Sequence, residues 1–407
     1  MDNIKKYKYI SLTGMLTLVT LSVFLLPQQI RVGLLGENIG TINLVATFII
    51  SIILIKWTNK FNKGYLLFIV IYICYFIINY IYCQTSMKNF ILTFCSFIAP
   101  AFLIGLEVSK NSFKKYFERF LKIFNFIIIV ITVIGIVDLF LGNKLILNIS
   151  AIMSNSLKNL IYTQQSLEVA RLYSFMGHPL FNTQLYLMFF ILNLAYESVF
   201  NKTIIKKFLI YLVPILGIAM TASKTGLILL LFSIIVFNNS RKKIINYIVI
   251  AFLLFVSFNL GIFNNTIERL LTETLTTGRA EYWDIYMSNH IYPIRLFKGY
   301  GNGFVFYYNT IVPWISAGFE YPIRFFSLEQ GVIFTILIYI SIFIYPIYTL
   351  LKQKSYKLLL MYIIIFFDVN TYNGIAIAGD YMIIFSMFIF IILSLSKIKN
   401  DEENNKY

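Results

Sequence analysis

The sequence predicts an all-α, polytopic membrane protein: one integral membrane domain over residues 1–407, with about 12 transmembrane helices and two long extracytoplasmic loops. Three observations predict it. Hydrophobic residues make up 59% of the chain and charged residues only 13%, with mean hydropathy +0.77, more apolar surface than a soluble fold of this size buries. Apolar runs recur along the whole length, and a helix that crosses a bilayer needs about 20 such residues. The runs are continuous, whereas a transmembrane β-barrel alternates.

The first run, Tyr9–Leu26, follows Lys5, Lys6 and Lys8; its length and the lack of a small-residue cleavage site separate it from a signal peptide. Asn38–Ile55, Tyr65–Cys83, Phe90–Glu107 and Phe124–Leu141 come next. Then follow Leu180–Phe200, Phe208–Met220, Thr225–Phe237 and Ile244–Ile262, and finally Gly331–Leu350, Leu358–Phe367 and Ile375–Leu395. The seventh, eighth and eleventh are the shortest. No internal repeat or linker splits off a soluble domain. Cys74, Cys83 and Cys95 lie in or beside apolar runs without metal spacing and read as packing residues. Two histidines, His178 and His290, are too few for a multi-histidine metal site, so neither metal nor cofactor is expected.

The net charge of +16 reflects membrane topology before it reflects any nucleic-acid partner, and none is expected. With the N-terminus inside, every Lys-rich connection falls on the cytoplasmic side, as does the C-terminus. That side carries 23 of 34 basic residues: 21 Lys and two Arg, Arg119 and Arg241. The outer side carries five Lys and six Arg: Arg31, Arg171, Arg269, Arg279, Arg295 and Arg324. Topology needs only positive charge, which lysine supplies. Arginine on the opposite face implies two-point recognition of phosphate or carboxylate. The alternative is that these arginines tie the outer loops to nearby Asp and Glu.

The outer loops are 142–179 and 263–326. The first closes on Arg171 to Pro179, with His178 at the start of the sixth span, as base, hydrogen-bond donor or helix cap. Asp138 is the clearest intramembrane acid and on that ground a functional candidate. Thr221 to Gly226 breaks an apolar stretch with Lys224 and three hydroxyls, a break tolerated only against protein or a water-filled cleft. The second loop holds four of the eight arginines and two of the three tryptophans. An amphipathic helix is expected from Arg279 to about His290, with Gly278 as N-cap and Arg279, Trp283, Tyr286 and His290 on one face. Gly299, Gly301 and Gly303 lack the ending of a phosphate-binding loop and read as tight turns.

In order, these features are Arg171 through Asn182, Thr221 through Gly226, Gly278-Arg279 with Trp283, Gly299 with Gly301, and Glu329 with Gly331. The set resembles the repeat-unit polymerase and O-antigen ligase superfamily of bacterial envelope glycosyltransferases. Two departures stand out: Lys224 replaces the usual arginine, and Glu320-Tyr321 stands where the ligase branch has a His-Asn pair. The second favours the capsular or O-antigen polymerase branch over a ligase.

The resemblance implies a multi-pass protein of the bacterial plasma membrane. It joins undecaprenyl-diphosphate-linked oligosaccharide repeat units outside the membrane, with a flippase and a chain-length regulator as partners. Its candidates for holding diphosphate and sugar are Arg171, Lys224, Arg279, Trp283, Arg295 and Arg324. Arg279 would also stabilise the leaving diphosphate, and Glu320, with His178 as alternative, would deprotonate the acceptor. A flippase or other transporter of the same lipid-linked sugars is the competing class; the absent internal repeat counts against it.

Overall fold

In the computed structural model the described residues are 11–82, 86–142, 144–166, 171–237 and 278–404, with the positions 261, 263, 264, 266 and 267. Lys5, Lys6, Lys8, Cys83, Arg241, Lys242, Lys243, Arg269, Thr277 and nearly all of the expected ninth span, Ile244–Ile262, lie outside them. Among the described residues there are helices and two isolated bridges, but no strand. Among the described residues six helices are long and apolar enough to cross a membrane, or seven if one bent pair counts as a single span.

That pair opens the chain. Helix α1 (Leu12–Phe24) stops before Pro27, and α2 (Gln28–Leu35) departs at 71°. Proline has no N–H and drives its predecessor out of the helical region, so the expected first span is shortened and bent here. Helices α3 (Glu37–Lys56), α4 (Lys63–Tyr82) and α5 (Met87–Gly105) lie within a few residues of the runs that predict them. Helix α6 (Lys110–Phe140) starts well before the expected Phe124, because its lysines and Arg119 are good helix formers. Helices α7 (Leu145–Met153) and α8 (Asn155–Ser166) occupy the first long loop. Asp138 acts as a cap: its Oδ1 accepts Ile146 N at 3.0 Å, at the start of α7.

Helices α9 (Pro179–Phe200), α10 (Lys207–Thr221) and α11 (Lys224–Phe237) follow; α10 and α11 have only 15 and 14 residues. The large loop contributes α12 (Arg279–Ser288), α13 (Phe304–Ile311), a 3₁₀ stretch at Pro313–Phe319, and α14 (Pro322–Glu329). Helices α15 (Val332–Lys352), α16 (Tyr356–Val369) and α17 (Tyr381–Asn404) complete the bundle. Of the cysteines read as packing residues, Cys95 is buried and Cys74 is exposed.

Helix α9, read from the sequence as one span among many, is the centre. It is buried without interruption from Phe181 to Tyr196 and packs on α6, α10, α11, α16 and α17. Such a helix can carry polar groups only if neighbours satisfy them. Asn193 and Asn125 of α6 exchange reciprocal amide bonds of 2.9 Å. Thr132 donates to Tyr186 at 3.1 Å, Tyr196 donates to Glu118 at 2.7 Å, and Tyr372 donates to Gln184. The same rule acts inside α15. Pro346 cannot bond the carbonyl of Ile342, a π-turn forms over Ile340–Ile344, and the Tyr362 hydroxyl takes that carbonyl instead.

The Lys-rich connections meet at one end of the bundle. Glu107 N donates to Lys60 O at 2.6 Å, Lys397 pairs with Glu107, Lys207 pairs with Glu197 at 2.9 Å, and Lys114 lies 5.3 Å over Phe200. The opposite end carries Arg31, Arg171, Arg279, Arg295 and Arg324, and its anchor joins α2 to the start of α17. Arg31 Nη1 and Nη2 grip the two oxygens of Asp380 at 2.8 and 2.9 Å, while Nε donates to Gly40 O at 3.2 Å and Nη1 also to Leu26 O at 2.6 Å. Asn43 Nδ2 adds a bond to Asp380 at 3.1 Å. Arg31 is therefore a structural tie, the alternative left open for the outer arginines.

Arg31→Ala would leave Asp380 buried without its counter-charge, at an expected cost of about 3–5 kcal/mol. The double substitution Arg31→Met/Asp380→Leu should recover most of that loss. Thermal unfolding of the purified proteins in one detergent measures both. Equal midpoints for wild type and Arg31→Ala would show the pair to be dispensable.

Candidate functional site

The sequence-selected residues form two groups on different elements. The first surrounds the end of α10. A helix leaves its last carbonyls without intrahelical partners, and here three are taken from outside. Ala219 O accepts Thr266 Oγ1 at 3.1 Å, Met220 O accepts Leu172 N at 2.8 Å, and Thr221 O accepts Arg171 Nε at 3.0 Å. A cation at a helix C-terminus also complements the dipole. The chain then reverses through Ala222 at φ +52°, and Ser223 Oγ caps α11 by accepting Gly226 N at 3.1 Å. Lys224 is buried in the first turn of α11, where the dipole disfavours a cation. That local misfit keeps it a functional candidate.

Beside this break stands the start of α9. Thr183 and Thr221 share a hydroxyl bond of 2.8 Å, and Asn182 ties together Ser174 at 2.7 Å and Leu172 O at 3.0 Å. His178 is the N-cap, its Nδ1 accepting Leu180 N at 3.2 Å, with Tyr173 edge-on at 5.7 Å. Capping is one of the roles weighed for it.

The second group lies in the large loop. Helix α12 ends at Ser288, so Arg279, Trp283 and Tyr286 lie on it, whereas His290 falls beyond it at φ +50° and leaves the expected face. Gly278 is the N-cap at φ +76°, without a side-chain capping bond. Aromatic packing holds α12 on the 3₁₀ stretch: Trp283 and Tyr286 stack at 5.5 Å, and both meet Phe319 edge-on at 6.3 and 5.0 Å. This docking brings distant residues together. Arg279 Nε donates to Glu320 Oε2 at 2.8 Å, and Nη2 donates to the same oxygen. Arg324 Nη1 donates to Arg279 O at 3.0 Å and Gly318 O at 2.9 Å, while its guanidinium lies 4.6 Å over Trp283 and 4.7 Å over Tyr321. Arg279 lies 5.8 Å from the Tyr321 ring, so one tyrosine is flanked by two guanidinium groups. Arg295 stands apart, exposed and 4.1 Å over Tyr300.

The motif glycines converge on Glu329. Tyr300 N donates to Leu328 O at 2.8 Å and Gly301 N to Glu329 O at 2.9 Å, so residues 299–301 lie along 328–330. A methyl group on Gly299 would collide with the Glu329 backbone. The buried Glu329 carboxylate accepts Gly303 N at 3.0 Å and Val305 N at 3.2 Å at the start of α13, and burial pushes its pKa up to about 8. Gly301 and Gly303 sit at φ +95° and +87°, as tight turns require.

Sequence reasoning missed Asp380, the partner of Arg31, and Asp368, buried in the last turn of α16 near Tyr372. Asp380 is an acid inside the expected span Ile375–Leu395, the same signal that singled out Asp138, but nothing local names Arg31 as its partner. The sequence run stops at Phe367, so Asp368 reads as the first residue of a loop.

Gly299→Ala should destabilise the loop more than Gly303→Ala. The first forces backbone apart, at about 1–3 kcal/mol; the second only strains φ in open space, at about 1 kcal/mol. Thermal unfolding and limited proteolysis of the two variants measure the order, and the reverse order would refute the close-approach account. No family model, curated protein or solved structure matches this chain.

Proposed function

We propose that this chain is an extracytoplasmic glycosyltransferase that polymerises undecaprenyl-diphosphate-linked repeat units in a bacterial plasma membrane. The observation that carries the reading is the large-loop cluster of Arg279, Trp283, Glu320, Tyr321 and Arg324. Paired guanidinium groups suit a diphosphate, and the flanking rings suit a sugar face. In this reading the anomeric C–O bond to the lipid diphosphate breaks and the acceptor hydroxyl forms the new C–O bond. The hydroxyl proton passes to a carboxylate, and the diphosphate leaves as an anion beside the arginines. The incoming diphosphate competes with Glu320 for the Arg279 fork, which releases Glu320 to take the proton. Arg171 and Lys224 then serve the α10–α11 break, with His178 holding the start of α9.

The test is complementation of a deletion strain. Loss of the protein should leave single repeat units on the lipid carrier and abolish long chains, and wild type should restore them. Arg279→Lys keeps the charge but not the two-point grip, so polymer yield should fall by about tenfold or more, while Lys224→Arg should be tolerated. Full activity of Arg279→Lys at matched expression would remove the fork from the mechanism. Repeat units trapped on the cytoplasmic leaflet would instead identify a flippase.

Orientation is tested by single cysteines in a background without Cys74, Cys83 and Cys95. Thr310 and Lys352 are both exposed, in the large loop and in a Lys-rich connection. In intact cells Thr310→Cys should react with a membrane-impermeant thiol reagent, and Lys352→Cys only after permeabilisation. The opposite pattern would place the arginine-rich loops in the cytoplasm and end the extracytoplasmic reading.

A further inference from the structure

A second feature at the arginine-rich end is a polar cleft of ≈ 260 Å³ between the end of α4, the start of α5 and the motif turn before α13. Its walls come from separate stretches of chain: Asn79 of α4, Asn89 and Thr93 of α5, Lys298 and Asn302 of the turn, and Gln330 after α14. Four of these six side chains end in amides. A primary amide presents a donor and an acceptor side by side, the complement of two neighbouring hydroxyl groups on a sugar ring.

The cleft is built rather than incidental. Gln330 Nε2 donates to Asn302 Oδ1 at 2.6 Å, and Asn302 Nδ2 donates to Thr93 Oγ1 at 2.7 Å and Asn89 O at 3.3 Å. Its floor is the pairing of residues 299–301 with 328–330, locked by the Glu329 carboxylate on Gly303 N and Val305 N. Tyr300 forms an aromatic edge and is stacked on Phe304 at 4.5 Å. Lys298 is the one cation in its lining, and no arginine fork stands beside it to grip an anionic headgroup. Amides and hydroxyls likewise suit no acyl chain. Pockets for larger small molecules run from about 300 Å³ upward, which limits this one to one or two rings.

We propose that this cleft binds a neutral saccharide, one or two sugar residues of a glycan, separately from the Arg279 cluster. The choice of a sugar among hydroxylated ligands rests on the glycosyltransferase reading. In that reading the cleft holds the chain away from the reacting bond while the arginines hold the diphosphate.

The test uses the full chain purified in lipid nanodiscs and saturation-transfer NMR. The probes are the methyl glycosides of glucose, galactose, rhamnose and N-acetylglucosamine. Wild type should transfer saturation to the ring protons of at least one probe. Gln330→Ala, which removes a hydrogen-bonding wall, and Asn89→Phe, which fills the cleft from α5, should each weaken that signal about fivefold or more. The two substitutions sit on different elements, so loss of folding in one leaves the other as the measure. Arg279→Lys should keep the signal. No transfer from any of the four probes, or undiminished transfer in either folded cleft variant, overturns the proposal. Glycoside binding by a protein that restores no polymer would sink the polymerase reading and leave the cleft standing. Polymerisation without glycoside binding would sink the cleft alone.

Discussion

A hydrocarbon interior offers no water to a polar group, so each one placed there needs a partner within the protein. That constraint explains the central helix α9 better than hydropathy does. Its asparagines, glutamine and hydroxyls would be costly against lipid; Asn193, Thr183 and Gln184 turn instead toward α6, α10 and the Tyr372 segment, and Asn182 toward Leu172 and Ser174 before the helix. The reciprocal Asn125–Asn193 pair satisfies two donors and two acceptors at once and is compatible with one register of the helices only. Pro346 obeys the same rule, since the carbonyl it strands is collected by a tyrosine on the next helix.

The constraint relaxes at the two ends of the bundle, and the residue types divide there. Lysine gathers at one end in salt links between exposed or half-buried side chains, worth little individually. Arginine gathers at the other, and there its geometry is used. Arg31 spans a carboxylate with both terminal nitrogens, Arg171 reaches a helix-end carbonyl, and Arg324 layers between two rings while bonding two carbonyls. A lysine ammonium reproduces neither the two-point grip of Arg31 nor the layering of Arg324 between two rings. Arg31, Arg171 and Arg324 are thus part of the architecture of their loops. Arg279 differs in facing an exchangeable partner, a carboxylate about a third exposed, rather than fixed backbone.

What was legible in the sequence follows from how far apart the cooperating residues lie. Uniform apolar runs such as Glu37–Lys56 and Lys63–Tyr82 announce themselves, because each residue favours the same environment. The Arg279–Trp283 face was readable from helical spacing. Glu320, 41 residues away, joins it only through the docking of aromatic surfaces that no local pattern reports. The break at Thr221–Gly226 was visible as hydroxyls in an apolar stretch, but not that Arg171 and Thr266 close its carbonyls. Helix α9 was underestimated for the opposite reason. Its polar residues lower the average hydropathy, and their partners lie 68 and 188 positions distant.

The tie between Arg31 and Asp380 spans 349 residues. During synthesis the arginine enters the membrane region long before its carboxylate exists. At roughly 5–20 residues per second, the wait is on the order of 20–70 s. Throughout that interval the guanidinium must stay hydrated at the interface or borrow a temporary anion, such as a lipid phosphate. The first turn of the bundle can therefore settle into its final place only when the last helix arrives, which makes closure of this end a late event in the life of each new chain.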